Sequence, residues 1–327
     1  MDVNSLRPDK ACIRLNDVKD GSPLFCVHSI EGVGGTLVTL ASKLKFPFYV
    51  FQCTQEAPVD SIESLASFYI EQMRAVQPQG PYRILGYSYG ASVAFEMATH
   101  LQRDCRVIVQ SVNDSTTWEV LNGRPTTATS NIVGNLILLD GSHRYMKIYR
   151  NAYRAAYGVD AANLLNDVLF ESEALCGFTL RFAPKTDYKQ FRARLVGAQT
   201  FDQRVNLVVE HLMATGLFKA QDTIIILRAV HKKAKCFDIY LLIDDESADL
   251  ETYEPQRKFD GNVTLIRAEV GSAKEEDVGR DYGLSEVTTG TVDVHVVPGD
   301  HDTFIHGPSA QITADIIGKA LTFQPQN

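Results

Sequence analysis

Short apolar runs alternate with amphipathic segments along the first hundred residues of the chain. The runs at residues 23–27, 48–51 and 82–85 are typical of buried strands, and residues 61–77 carry apolar positions at helical spacing. Strands and helices in alternation predict a mostly parallel sheet with helices on both faces. Ligands of such sheets bind at the carboxyl ends of the strands, so we expect the functional residues there.

Two local patterns refine this prediction. Asp60 and Glu63 have the spacing of a capping box at the start of the helix over 61–77. A further helix is predicted to end at Leu101, and polar, turn-forming residues then extend over 102–134. We interpret that stretch as a surface excursion with a minor strand at 107–109, after which the sheet resumes at residue 135.

The alternation of strand and helix patterns stops in the second half of the chain. Residues 146–253 are largely helical in pattern and rich in aromatic residues, as expected of a lid or substrate-binding subdomain inserted between strands. Within them, residues 223–245 suit strand or helix equally. Strand-like runs return at 263–268 and 292–297, and a closing helix is predicted over 309–322.

Composition narrows the class of protein. Apolar residues make up 45% of the 327 residues and charged residues 22%, which is ordinary for a globular protein, and the net charge of −8 argues against nucleic acid as a partner. We find neither a membrane-spanning apolar stretch nor a signal peptide. The six cysteines are scattered without metal-site spacing, which favours reduced thiols in a cytoplasmic protein.

Residues 86–90 read Gly-Tyr-Ser-Tyr-Gly, between a predicted strand and a predicted helix. This arrangement is the nucleophile elbow, in which a sharp turn exposes the hydroxyl of Ser88. The elbow on a parallel sheet predicts the α/β-hydrolase fold. We therefore expect an N-terminal extension at 1–20, an α/β-hydrolase core at 21–145 and 254–327 that includes the excursion at 102–134, and the helical lid at 146–253.

A serine nucleophile needs a base, and the base needs a third group to orient it. Six of the eight histidines follow Ser88 at a distance that suits the order Ser, acid, His of this fold; they are His143, His211, His231, His295, His301 and His306. His301 follows the last strand on a Pro-Gly-Asp-His turn, so it is the first candidate, with His306 second. His295 lies inside the strand pattern and is expected to face one side of the sheet.

Spacing alone does not choose the acid. Asp140 ends an apolar run and precedes a glycine, and Asp244 and Asp245 end another apolar run. The oxyanion hole requires two backbone N–H groups. We expect one from Tyr89, directly after the nucleophile, and one from Ile30 in the loop after the first core strand.

Five segments resemble the thioesterase domain of animal (type I) fatty acid synthase. They are His-Ser-Ile-Glu-Gly at 28–32, Gln-Pro-Gln-Gly-Pro-Tyr-Arg at 77–83, Gly-Tyr-Ser-Tyr-Gly-Ala at 86–91, Asp-Tyr-Gly-Leu-Ser at 281–285 and Gly-Asp-His at 299–301. The resemblance covers a little over half of the chain, and the predicted lid matches poorly. The chain also departs from the family pattern at Ser29, where the family has proline, and at Asp302, where it often has arginine.

The resemblance implies that Ser88 is the nucleophile, His301 the base and Asp140 the acid, without a metal or organic cofactor. It further implies release of a long-chain fatty acid (about C16) from phosphopantetheine, carried by an acyl carrier protein domain or by long-chain acyl-CoA. It leaves open whether the chain is an excised domain, a fragment or a free-standing enzyme. The alternatives are a serine carboxylesterase or lipase, a cyclising thioesterase, and a catalytically inactive hydrolase fold that serves as a binding module.

Overall fold

The computed structural model describes residues 8–114, 132–145, 147–148, 168–183, 185–216, 218, 223, 230, 253–271 and 275–322. In these ranges a seven-stranded sheet has the order β1-β3-β2-β4-β5-β6-β7. The strands are β1 (Cys12–Arg14), β2 (Leu24–Val27), β3 (Phe48–Phe51), β4 (Tyr82–Tyr87), β5 (Val133–Leu139), β6 (Val263–Val270) and β7 (Val292–Asp300).

Helices cover both faces of this sheet. After a 3₁₀ turn at Gly34–Leu37, the α-helices are α1 (Val38–Ala41), α2 (Ile62–Val76), α3 (Tyr89–Asp114), α4 (Val168–Phe182), α5 (Tyr188–Val196), α6 (Phe201–Ala214), α7 (Glu275–Val278), α8 (Leu284–Val287) and α9 (Gly307–Thr322). None of the helices in the described ranges is long and apolar enough to cross a membrane.

The central strands are buried on both faces, as their continuous apolar runs indicate. In β2, Phe25 and Val27 pack with α2 and α3 in one apolar layer, while Leu24 and Cys26 pack with α1 and α9 in another. All neighbouring pairs from β3 to β7 are parallel, and β1 alone is antiparallel. The predicted parallel sheet with helices on both faces is therefore confirmed.

The parallel register determines where the functional residues lie. Tyr87 is paired with Leu139, and Leu139 is paired with Ile266. The residues that follow the first two, Ser88 and Asp140, therefore emerge side by side at the carboxyl edge of the sheet. Because β7 extends to Asp300, the next residue, His301, lies at the same edge.

Helix α3 continues well beyond Leu101 and contradicts part of the predicted excursion. Residues 102–114 are helical, so the minor strand predicted at 107–109 is wrong. The side chain of Gln102 explains the error, since its amide donates to the carbonyl of Asp260 at 2.8 Å and accepts from the same residue's N–H at 2.9 Å. A polar residue that suggested a loop is buried in a two-way contact with the segment before β6. Residues 115–131 lie outside the described residues.

Two smaller predictions are also corrected. Part of the supposed N-terminal extension forms β1, because Cys12, Ile13 and Arg14 pair with β3. Helix α2 is capped by Ser61, whose hydroxyl accepts the N–H of Ser64 at 3.0 Å, and not by a capping box that begins at Asp60. The Asp60 carboxylate instead accepts the hydroxyl of Ser64.

The helices α4, α5 and α6 share a third apolar cluster, which includes Leu175, Phe191 and Val208. The described part of residues 146–253 is thus helical where it forms regular structure. Its role as a lid stays a prediction. Most of residues 223–245, including the acid candidates Asp244 and Asp245, lie outside the described residues.

We predict that Gln102→Ala lowers the free energy of unfolding by about 1–3 kcal/mol, because it leaves the half-buried N–H and C=O of Asp260 without these partners. Thermal or urea denaturation measures the change. Gln311→Ala is the matched control, since Gln311 is exposed on α9 and bonds only to the Asp315 carboxylate within its own helix. Equal stability of the two variants would contradict the structural role of Gln102.

Candidate active site

Ser88, His301 and Asp140 form a continuous chain of hydrogen bonds at the carboxyl edge of the sheet. His301 Nε2 lies 2.8 Å from Ser88 Oγ, and His301 Nδ1 lies 2.7 Å from Asp140 Oδ2. With Nδ1–H donated to the carboxylate, Nε2 is left to accept the serine proton. The arrangement can therefore generate an activated serine nucleophile.

Two other candidates for the base have different surroundings. His306 is exposed on the turn after His301. His295 is paired with Asp293 at 2.8 Å near the opposite end of β7. Asp140 contacts His301, whereas the other acid candidates, Asp244 and Asp245, lie outside the described residues.

Close backbone packing explains the glycines around the elbow. A Cβ atom at Gly86 would lie 2.2 Å from the carbonyl oxygen of Gly90, and one at Gly90 would lie 2.3 Å from that of His28. A Cβ at Gly141 would lie 2.3 Å from the carbonyl oxygen of Ser88. Ser88 itself has a φ of 57° and Asp140 a φ of 42°, in the left-handed region. The turn that exposes the hydroxyl thus depends on bare backbone at three places.

The second oxygen of Asp140 is also occupied. The hydroxyl of Tyr282 donates to Oδ1 at 2.8 Å, and the N–H of Ala268 donates to it at 3.2 Å. Asp140 is fully buried, so these donors and His301 compensate for its lost hydration. Tyr282 belongs to the Asp-Tyr-Gly-Leu-Ser stretch, and nothing in the spacing of that stretch indicates a contact with Asp140.

Two aromatic rings hold the imidazole of His301. The ring of Tyr87 stacks on it with a centroid distance of 5.4 Å, and the ring of Tyr145 does so at 6.0 Å. The hydroxyl of Tyr87 also donates to the backbone carbonyl of His301 at 2.8 Å. Neither tyrosine is marked by its sequence position as a neighbour of the base, although Tyr87 directly precedes the nucleophile.

Several effects act on the pKa of His301. Burial lowers it, whereas the hydrogen bond to Asp140 and the negative charges of Asp140, Asp302 and Glu31 raise it, and the pKa ends above its ordinary value. Asp302 therefore adds negative charge beside the base at the position where the resembled family often has arginine. Its direct effect on the site is to favour the imidazolium form.

The loop after β2 lies against the start of α3. The N–H of Gly32 donates to the carbonyl of Ser29 at 3.0 Å, which closes a tight turn around Ile30, and the Ser29 hydroxyl donates to the Glu31 carboxylate. His28 is buried, with Nε2 at 2.6 Å from the Tyr69 hydroxyl and its ring stacked on Tyr89. The backbone contact between His28 and Gly90 brings this loop next to the nucleophile. An oxyanion hole made by Ile30 and Tyr89 remains a prediction.

Among the described residues, no group of three His, Cys, Asp or Glu side chains could hold a metal ion. The hydrogen-bonded Ser-His-Asp chain on a sharp strand-to-helix turn defines the class of site, namely that of a serine hydrolase.

The chain is similar to thioesterase domains in both sequence and fold. Residues 22–119 match the family model for the thioesterase domain. Among solved structures, a four-domain nonribosomal peptide synthetase, holo-AB3403, superposes with a TM-score of 0.64 at 17% identity, over 96% of this chain and 20% of that one. The thioesterase domain SrfTE, which cyclises the lipopeptide surfactin, gives 0.52 at 16% identity, over 96% and 97% of the two chains. The fold is therefore of the α/β-hydrolase type found in thioesterase domains.

Curated relatives align with part of the chain. Polyketide synthase PksR of Bacillus subtilis is 43% identical over 109 residues, which is 30% of this chain and 4% of that protein. Microperfuranone synthase of Emericella nidulans is 42% identical over 89 residues, which is 25% of this chain and 9% of that protein. The chain thus spans less than a tenth of the length of these two relatives.

These findings correct the resemblance drawn from the motifs. The relatives include polyketide synthases and nonribosomal peptide synthetases of bacteria and fungi, and the resemblance to the thioesterase domain of animal fatty acid synthase is wrong. Ser88 lies inside the segment that matches the thioesterase domain model.

We predict that Gly90→Ala destabilises the protein by about 2–4 kcal/mol and displaces Ser88, because the added methyl would overlap the carbonyl of His28. Thermal unfolding and labelling of Ser88 by an aryl fluorophosphonate measure the two effects. The control is Gly177→Ala on α4, where a Cβ meets nothing within 4 Å and helix propensity favours alanine by about 0.5–1 kcal/mol. Wild-type stability and labelling in Gly90→Ala would contradict the close approach.

We predict that Asp302→Asn moves the acidic limb of the pH profile for Ser88 labelling to lower pH. Reaction needs neutral His301, and removing the nearby negative charge lowers the raised pKa of its imidazole. The pH dependence of fluorophosphonate labelling measures the limb, and added salt should reduce the difference. Asp293→Asn removes the same charge near the far end of β7 and should leave the limb in place. A limb displaced upward, or equally in both variants, would refute this account.

Proposed function

We propose that this chain is a product-releasing thioesterase that cleaves an acyl or peptidyl thioester from the phosphopantetheine arm of a carrier protein domain. The observation that carries the proposal is the Ser88–His301–Asp140 hydrogen-bond chain, with Ser88 inside the segment that matches the thioesterase domain model. The names of the relatives support a carrier-bound substrate of a polyketide or peptide synthase.

In the first step, Ser88 Oγ attacks the thioester carbonyl carbon while His301 Nε2 takes the hydroxyl proton. Asp140 holds Nδ1–H and stabilises the imidazolium that forms. The backbone N–H groups of Tyr89 and Ile30 are proposed to bind the oxyanion. Collapse of the tetrahedral intermediate breaks the carbon–sulfur bond and leaves the acyl group on Ser88.

The leaving group makes few demands on the site. A thiol has a pKa of about 8.5, so the sulfur departs readily and accepts its proton from His301 or from solvent. The acyl-enzyme is then attacked by water, with His301 again acting as base, and the free acid leaves. A hydroxyl or amine of the acyl chain could replace water and give a cyclic product by the same steps.

The identity of the acyl group is a separate question from the thioester chemistry. A preference for long-chain fatty acids (about C16) came from the resemblance that the comparisons overturn. The apolar side chains of α4, α5 and α6 that the structure describes are packed against each other and do not indicate which acyl group binds. We therefore propose only the thioester class, and the length and polarity of the acyl chain are tested by experiment.

The second candidate function is a carboxylesterase, because the same three side chains cleave oxygen esters. The relatives include a polyketide synthase and a nonribosomal peptide synthase, whose names indicate assembly of polyketides and peptides, which favours the thioester. The intact hydrogen-bond chain in turn favours an active enzyme over a binding module.

We predict that the protein releases thiol from pantetheine thioesters and that Ser88→Ala reduces kcat by at least about 10³-fold, since it removes the nucleophile. The substrates are octanoyl, palmitoyl, 3-hydroxyacyl and short peptidyl thioesters, each beside its matched methyl ester. Free thiol and intact-protein mass spectrometry report turnover and the acyl-enzyme.

Ser42→Ala is the control for loss of a serine hydroxyl, because Ser42 is exposed and bonds only to the carbonyl of Thr39. It should retain full activity. Thiol release that survives in Ser88→Ala would refute the mechanism, and faster cleavage of the methyl esters would favour the carboxylesterase.

A further inference from the structure

The two oxygens of the Asp140 carboxylate have separate partners. Oδ2 faces His301 Nδ1 at 2.7 Å, while Oδ1 accepts the Tyr282 hydroxyl at 2.8 Å and the Ala268 N–H at 3.2 Å. A carboxylate is nearly symmetric and can rotate, so directional donors on one oxygen determine where the other oxygen points. Of these two donors, the phenol is the one that comes from a side chain.

Tyr282 is itself held from several sides. It is fully buried, its backbone carbonyl accepts the Ser142 hydroxyl at 2.8 Å, and its ring stacks on Tyr145 at 4.8 Å. The guanidinium of Arg267 lies over the ring of Tyr282, 4.8 Å from the ring centroid. The phenol is therefore fixed in the position from which it reaches Asp140.

The backbone before α8 orients this residue. Tyr282 has a φ of 56°, a conformation that residues other than glycine adopt only where the surroundings require it. The carboxylate of Asp281 accepts the N–H groups of Gly283 at 3.1 Å and Ser285 at 2.9 Å, which closes the turn. The turn thereby directs the side chain of Tyr282 toward the site.

We propose that Tyr282 is a positioning residue that orients Asp140 and draws part of the carboxylate charge onto Oδ1. Through Asp140 it keeps His301 in the tautomer and orientation that serve Ser88. The role rests on the proposed function only in that Ser88 must be a nucleophile. It does not depend on which acyl group the enzyme releases.

The charges around the phenol keep it a donor. Burial and the nearby carboxylate of Asp140 raise the pKa of Tyr282 far above its ordinary value, and Arg267 only partly opposes them. Tyr145 is a further titratable group that faces it among the described residues. The titratable groups around His301 in the described residues are Asp140, Asp302, Glu31, Tyr87 and Tyr145.

The first test is Tyr282→Phe, which keeps the ring, its stacking on Tyr145 and its contact with Arg267. We expect fluorophosphonate labelling of Ser88 to slow about 10-fold, because one directional donor is lost. The acidic limb of the labelling rate should move to higher pH, because the full carboxylate charge then acts on His301. Tyr82→Phe is the control, since Tyr82 is also buried but donates to the Pro78 carbonyl at 3.2 Å, at the amino end of β4.

A double-mutant cycle separates positioning from packing. If Tyr282 acts through Asp140, Tyr282→Phe should have little further effect on labelling in an Asp140→Asn background. The same fold loss in both backgrounds, or equal behaviour of Tyr282→Phe and Tyr82→Phe, would overturn the proposal.

A second variant covers the case in which Tyr282→Phe does not fold. Replacement of Tyr282 by 3-fluorotyrosine keeps the hydroxyl but makes it a stronger donor to Asp140. The acidic limb should then move to lower pH, opposite to the effect of phenylalanine. An unchanged limb, or one that moves upward, would overturn the proposal.

Labelling also distinguishes this inference from the proposed function. Wild-type protein that reacts with the fluorophosphonate but releases no thiol would end the thioesterase proposal and leave the test of Tyr282 intact. Wild-type protein that is not labelled at Ser88 would remove the active triad and the role of Tyr282 with it.

Discussion

Main-chain hydrogen bonds at the carboxyl edge of the sheet are the constraint on which the site depends. The N–H of Ser88 donates to the carbonyl of Leu139 at 2.9 Å, and the N–H of Asp140 donates to that of Ile266 at 2.8 Å. The backbone of each residue is thus held at the end of the neighbouring strand independently of its side-chain contacts. The pairing of the parallel strands therefore sets the spacing between Ser88 and Asp140. Side chains such as Tyr87, which contacts His301, help to position the base.

Much of this architecture could be predicted because its signals are local. The apolar runs of β2 and β3, the glycines around Ser88 and the turn that begins at His301 lie within a few residues of the features they specify. The remainder depends on partners that are distant in the chain. Gln102 is satisfied by Asp260, and Asp140 meets Tyr282, and neither pairing leaves a mark in the spacing of the residues concerned.

The wrong family assignment has a related physical origin. The motifs that suggested it lie in the elbow, the loop after β2 and the turn at His301, which are close to the Ser88–His301–Asp140 hydrogen-bond chain. The predicted lid, where the resemblance is poor, contributed no motif to the assignment. Short motifs around Ser88 are consequently good evidence for a class of chemistry and poor evidence for a product.

The left-handed backbone at Ser88 and Asp140 has a consequence for evolution and engineering. Each such residue costs roughly 1–3 kcal/mol when it is not glycine, and the strands around it must offset that cost. A glycine at Ser88 would relax the backbone there while removing the reactive hydroxyl. At Asp140 the same change would also take the acceptor away from Tyr282 and Ala268, which offsets the gain. Selection for thermal stability alone can therefore remove the nucleophile, and stabilised variants should be screened for function at every round.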